Sequence, residues 1–225
     1  MILRNIIIFL ALAIPFFGLS YWLTAPPSSP VHEDLPWDVE TLPDGGSRVF
    51  GVTLGETPVE TLSERLRTRP RLELWGDAQG THQLVALFEG VRLGPFQVDL
   101  VAVLDMPEAG LIRMAGEVVG DSPTSGLGRW ALPKARIPQV MDRPVRVLTY
   151  APRAQYTEQT VLERFGKPEK RLDTSDGRYF LYPGRGLALL GMEDGRATLY
   201  YVPPRDFGAL RQRIQDGQSP VRGVP

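Results

Sequence analysis

Cysteine is absent from the chain, which excludes disulfides, thiolate metal sites, a cysteine nucleophile and the lipid-modified cysteine of bacterial lipoproteins. The body must therefore hold together by packing alone. Histidine is nearly absent too, with 2 residues, His32 and His82, so a Ser–His couple or a His-rich metal site has almost no material. Neither sign of charge is in excess. The 25 basic and 26 acidic side chains leave a formal net charge of -1, and no nucleic-acid partner is expected from so weak a field. There is also no Gly-x-Ser-x-Gly elbow; Ser122 and Ser125 sit in a Pro/Gly loop, where turn formation accounts for them.

Glycine (23) and proline (21) are plentiful, which favours many turns and short elements over a helical bundle. A chain of 225 residues has room for one larger domain or two small ones.

The one long hydrophobic run is residues 6–23, almost wholly apolar and close to the roughly 20 residues that span a bilayer as a helix. Tyr21 and Trp22 fit an interfacial belt at its exit. Arg4 precedes the run, and Glu33, Asp34, Asp38, Glu40 and Asp44 follow before the next cation, Arg48. By the positive-inside rule the body is expected on the far side of a bacterial inner membrane, in the periplasm, with the run as a single-pass contact with the bilayer. A cleaved signal peptide ending near Gly18-Leu19-Ser20 fits as well, and also exports the body. Pro26, Pro27, Pro30 and Pro36 then mark a spacer.

Past the spacer, Arg48 to Val52 is predicted as a strand and Pro58 as the start of a helix, with Thr57 capping it and Glu60 completing a capping box. Strands are predicted over 71–75, 82–88 and 96–104, a helix over 107–118, short strands at 129–132 and 145–150, and only a brief helix between them. Thr157 is expected to cap a helix that ends at Phe165 before Gly166 and Pro168. Two hairpins follow, with type I′ turns at Asp176-Gly177 and Asp194-Gly195, then a helix over 204–214. Glu64-Arg65-Leu66 and Glu163-Arg164-Phe165 close the two main helices, which suggests a faint internal repeat.

The expected architecture is thus α+β: a membrane helix (1–24), a spacer (25–46), two small helix-plus-antiparallel-meander lobes (47–143 and 144–215) and a flexible tail (216–225).

The run Thr157-x-x-x-Val161-x-x-x-Phe165-Gly166-x-Pro168, followed by Tyr179-Phe180-Leu181-Tyr182, resembles the small domain of the BamE (SmpA/OmlA) family over residues 150–205. The layout is also similar to that of β-lactamase inhibitor proteins. A looser echo, Gly51-x-Thr53-x-Gly55 through Leu66, lies in the first half. The resemblance implies a scaffold used for protein contacts. It does not carry over the family's role in assembling outer-membrane β-barrel proteins, since the lipid-bearing cysteine is missing and an inner-membrane anchor is expected instead.

No catalytic, cofactor or metal site is expected. His32-Glu33-Asp34 is a solvated acidic stretch, Asp173 to Gly177 a hairpin turn rather than a calcium loop, and Gly126-Leu127-Gly128 and Gly184-Arg185-Gly186 are bends. The candidate contact residues are Tyr179, Phe180, Tyr182, Tyr200 and Tyr201, because strand alternation sends them to both faces and one helix layer hides only one. Lys167, Lys170 and Arg171 could meet an acidic partner or lipid. The function expected is a non-enzymatic, membrane-anchored module that binds another envelope protein. The alternatives are an exported hydrolase using Asp99, Asp105 or Glu117, and a lipid-binding subunit with a large apolar pocket.

Overall fold

The described residues form twelve strands and five short helices. The computed structural model describes residues 35–77, 80–118, 127–219 and 221. A small antiparallel sheet contains β1 (Glu40–Thr41), β2 (Ser47–Val49) and β3 (Val52–Thr53). The strands of the main sheet are β4 (Arg71–Asp77), β5 (His82–Leu93), β6 (Phe96–Leu104), β7 (Leu127–Ala131), β8 (Val145–Pro152), β9 (Lys170–Thr174), β10 (Gly177–Tyr182), β11 (Leu187–Gly191) and β12 (Ala197–Tyr201). They run in the order β7-β4-β5-β6-β8-β12-β11-β10-β9 as one nine-stranded sheet, antiparallel throughout.

This overturns the expected α+β pair of lobes. The domain is mostly β, and the seam expected near residue 143 is a continuous ladder in which β6 pairs with β8 from Val98↔Pro152 to Leu104↔Val145. Physically, two half-sheets would each have exposed an apolar edge strand, Val98-Leu100-Ala102 on one and Leu148-Tyr150 on the other. Pairing those edges satisfies both backbones and merges the cores. The described residues accordingly form one unit.

Alternation divides the side chains of the main sheet between two faces. On the first, Leu74, Leu84, Phe88, Leu100, Leu148, Tyr150, Leu189 and Leu199 form the larger core. It is covered by α1 (Val59–Leu66), α2 (Glu108–Val118), α3 (Ile137–Val140), α4 (Glu158–Phe165) and the small sheet. On the second, Val85, Val103, Leu181, Leu190 and Tyr200 pack with Phe207, Leu210 and Ile214 of α5 (Phe207–Gln215) and with Val221. The tail expected at 216–225 is thus anchored at Val221, which is 2% exposed.

The membrane expectations are corrected too. Among the described residues no helix is long and apolar enough to cross a membrane, which conflicts with a single-pass inner-membrane protein carrying a periplasmic body. The run 6–23 on which that expectation rests lies outside the described residues. So does the first part of the expected spacer; in its remainder Pro36 is buried and accepts a 2.6 Å hydrogen bond from the Tyr201 hydroxyl.

Smaller departures have local causes. Thr57 does not cap α1. Its hydroxyl instead accepts the Thr53 N–H at 2.9 Å, and Pro58 stands at the cap position without a side-chain bond. The first hairpin loop is Ser175-Asp176, because Gly177 already pairs with Thr174. The second is wider than a type I′ turn: Gly195 donates to the Met192 carbonyl, and Met192 to that of Arg196, with Gly195 at φ 81°. That is a type I turn closed by a left-handed glycine.

Candidate functional site

Burial settles the position of the five aromatic candidates. Tyr179, Phe180, Tyr182, Tyr200 and Tyr201 are each 5% exposed or less. Phe180, Tyr182 and Tyr201 belong to the larger core and Tyr179 and Tyr200 to the smaller one. Their rings therefore cannot form the contact surface expected of them. The reason is a second cover: Phe207, Leu210 and Ile214 place an apolar stripe on α5 at helical spacing, and that stripe closes the face on which Tyr179 and Tyr200 lie. Burial pushes the Tyr179 and Tyr182 hydroxyls up to about 12. Tyr182 also donates to the Gly166 carbonyl at 3.0 Å, which ties β10 to the end of α4.

The hairpin instead presents a charged rim. Thr157 fixes the start of α4 by accepting the Thr160 N–H at 3.1 Å, which places Glu158 in the first turn beside the sheet. Glu158 then receives two guanidinium groups, Arg171 at 3.0 Å and Arg178 at 3.0 Å. Arg178 continues the chain to Asp173 at 2.6 Å. Asp173 first and then Glu158 hold the Arg178 pKa above its ordinary value. Exposed pairs of this kind add little stability; their effect is to fix where the charges sit. They border a groove of about 420 Å³ floored by Tyr156, Val161, Phe180 and Met192.

Beside the groove the main sheet ends. β9 pairs with β10 on one side, and among the described residues no strand pairs with its other side. An open edge of this kind leaves a row of backbone donors and acceptors available. Lys170, Arg171 and Asp173 are exposed along it, Leu172 is half-buried, and Lys167 is exposed just before it. Arg171 also lies over the Phe180 ring at 5.6 Å. Among the described residues neither Lys167 nor Lys170 has a carboxylate within ion-pair distance.

The carboxylates considered for hydrolysis are not brought together. Asp99 accepts the Gly90 N–H at 2.6 Å and lies 3.6 Å from Arg153. Asp105 is six positions further along the extended chain, roughly 20 Å away at strand spacing. Glu117, at the end of α2, is paired with Arg136. Among the described residues no three metal-ligating side chains converge. His82 is half-buried, with an unpartnered Nδ1. His32-Glu33-Asp34, Ser122 and Ser125 lie outside the described residues, as does Gly126. Gly184-Arg185-Gly186 is a bend, a single 3-10 turn over Pro183–Arg185 that ends at Gly186.

Three clefts among the described residues measure about 300 to 420 Å³ and are open, with mixed linings. No family model matches the chain, and neither does any curated protein or solved structure.

Proposed function

We propose that this chain is a protein-binding module that takes an extended, acidic segment of its partner along β9, as a further strand of the main sheet. The observation that carries this reading is the unpaired outer edge of β9 with Lys167 and Lys170 beside it. Strand addition derives affinity from main-chain hydrogen bonds and specificity from the alternate side chains. Lysine on an edge discourages indiscriminate pairing, and here it selects a partner that brings carboxylates. The groove behind Arg178 gives the incoming side chains a place to rest. The resemblance to the BamE family over 150–205, in which sheet and loop surfaces hold partners, supports the same reading.

The test is photo-crosslinking in the source cells from a reactive residue placed at Lys170, with Arg113 on α2 as the control position. One discrete adduct, obtained from Lys170 and not from Arg113, supports the reading if its crosslinked segment is acidic. Identical adducts from both positions, or none from Lys170, overturn it.

A further inference from the structure

A second cleft, of about 300 Å³, lies on the opposite face of the main sheet between α5 and the middle strands. Its floor is apolar: Val103 from β6, Val147 from β8, Val202 after β12, and Leu210 from α5. Two guanidinium groups stand at its wall, those of Arg146 and Arg213.

The position of Arg146 follows from a defect in the ladder. Val103 pairs with Val147 and Leu104 with Val145, so Arg146 is the extra residue of a β-bulge. Bulges re-aim side chains and are over-represented beside binding sites. Val145 on one side of the bulge belongs to the larger core, while Val147 on the other joins the smaller one. Arg146 thereby reaches the same cleft as its neighbour Val147.

Arg213 comes from α5 and donates to the Ser219 carbonyl at 2.8 and 3.3 Å. Burial and then the charge of Arg146 lower its pKa. Both cations line the same cleft. Among the described residues neither has a carboxylate within ion-pair distance. Asp206 is the one carboxylate in the lining; it is exposed and makes no ion pair with either arginine. Like charges held together over an apolar floor cost free energy that an anion would return.

We infer that this cleft binds a small amphiphilic carboxylate, with its head between Arg146 and Arg213 and its hydrocarbon body on Val103, Val147, Val202 and Leu210. Its size matches the lower end of small-ligand pockets, and it is independent of the β9 edge.

The test uses the full chain with labelled Val and Leu methyl groups, titrated with octanoate, octanol and octylammonium. Octanoate is expected to shift the Val147 and Leu210 methyls saturably, with octanol and octylammonium at least about tenfold weaker. Arg146→Gln is expected to weaken octanoate about tenfold. Its side chain is exposed and makes no hydrogen bond to the described residues. Arg213→Lys, which keeps the charge but loses the planar fork, is expected to weaken octanoate less than Arg146→Gln does. Octanol binding as tightly as octanoate, an unchanged affinity in Arg146→Gln, or shifts confined to other methyls would each overturn the inference.

Discussion

The Phe50 ring stacks on the Tyr150 ring, with centroids 5.3 Å apart and planes 14° from parallel. Phe50 belongs to the turn between β2 and β3, and with φ 51° it sits in the left-handed region beside Gly51 at φ 71°. A bulky side chain pays of order 1–2 kcal/mol for that backbone, and the stack repays it by locking the small sheet onto the large one. Phe50→Ala is expected to destabilise the domain by about 3–5 kcal/mol in urea unfolding. Phe50→Gly, which loses the same ring but accepts the backbone, is expected to cost about 1 kcal/mol less. Equal losses would contradict the strain.

Glu73 on β4 is nearly buried, and its carboxylate accepts the Trp75 indole N–H at 2.6 Å and Arg71 at 2.8 Å. Trp75 is 1% exposed and has Arg129 over its ring at 4.4 Å. Glu73→Ala leaves a buried indole donor without this acceptor and is expected to cost about 1–3 kcal/mol. Glu73→Gln keeps an acceptor and is expected to lose less. Paired urea denaturation curves decide between them.

Stability above neutral pH should depend on tyrosine. An unfolded tyrosine titrates near 10, whereas Tyr179 and Tyr182 are held up to about 12, mainly by burial. Below about pH 10 both states keep the proton and these groups leave stability unchanged. From about pH 10 to about pH 12 the unfolded chain releases protons that the folded chain retains, so stability falls as pH rises, by about 1.4 kcal/mol per pH unit for each such group. Burial also raises Tyr150, Tyr200 and Tyr201, which steepens the fall. Urea unfolding along a pH series, with phenolate absorbance as the second readout, checks both sign and onset. Tyr182→Phe is expected to reduce the slope by about one proton.

The start of α4 offers a smaller effect. Thr157→Ala removes the acceptor for the Thr160 N–H and is expected to cost about 1 kcal/mol, measured as a shift in the urea midpoint.

Local chemistry was legible in the sequence at some positions and not at others, Thr57 and the Asp194-Gly195 turn being the exceptions. Thr157 and Gly166 bound α4 as their types require, and β6 spans Phe96–Leu104 as its apolar run implies. The long-range pairing was not legible. Nothing near Leu100 or Tyr150 announces that the two residues are partners, because the ladder joins positions 50 residues apart and depends on both edges being apolar. The same blindness affected the candidate site: the aromatic strands were visible, but the cover from Phe207, Leu210 and Ile214 depends on where α5 folds back. The bulge at Arg146 is similarly silent in sequence, since register exists only between strands.

Amide hydrogen exchange of β9 is the most direct test of the binding edge. It should be measured on the full chain alone and with the partner segment captured at Lys170. Addition of a strand should slow the outward-facing amides of Lys170–Thr174 at least about tenfold while leaving β7, at the other end of the sheet, unchanged. Unchanged exchange in β9 with the partner bound would contradict pairing along that edge.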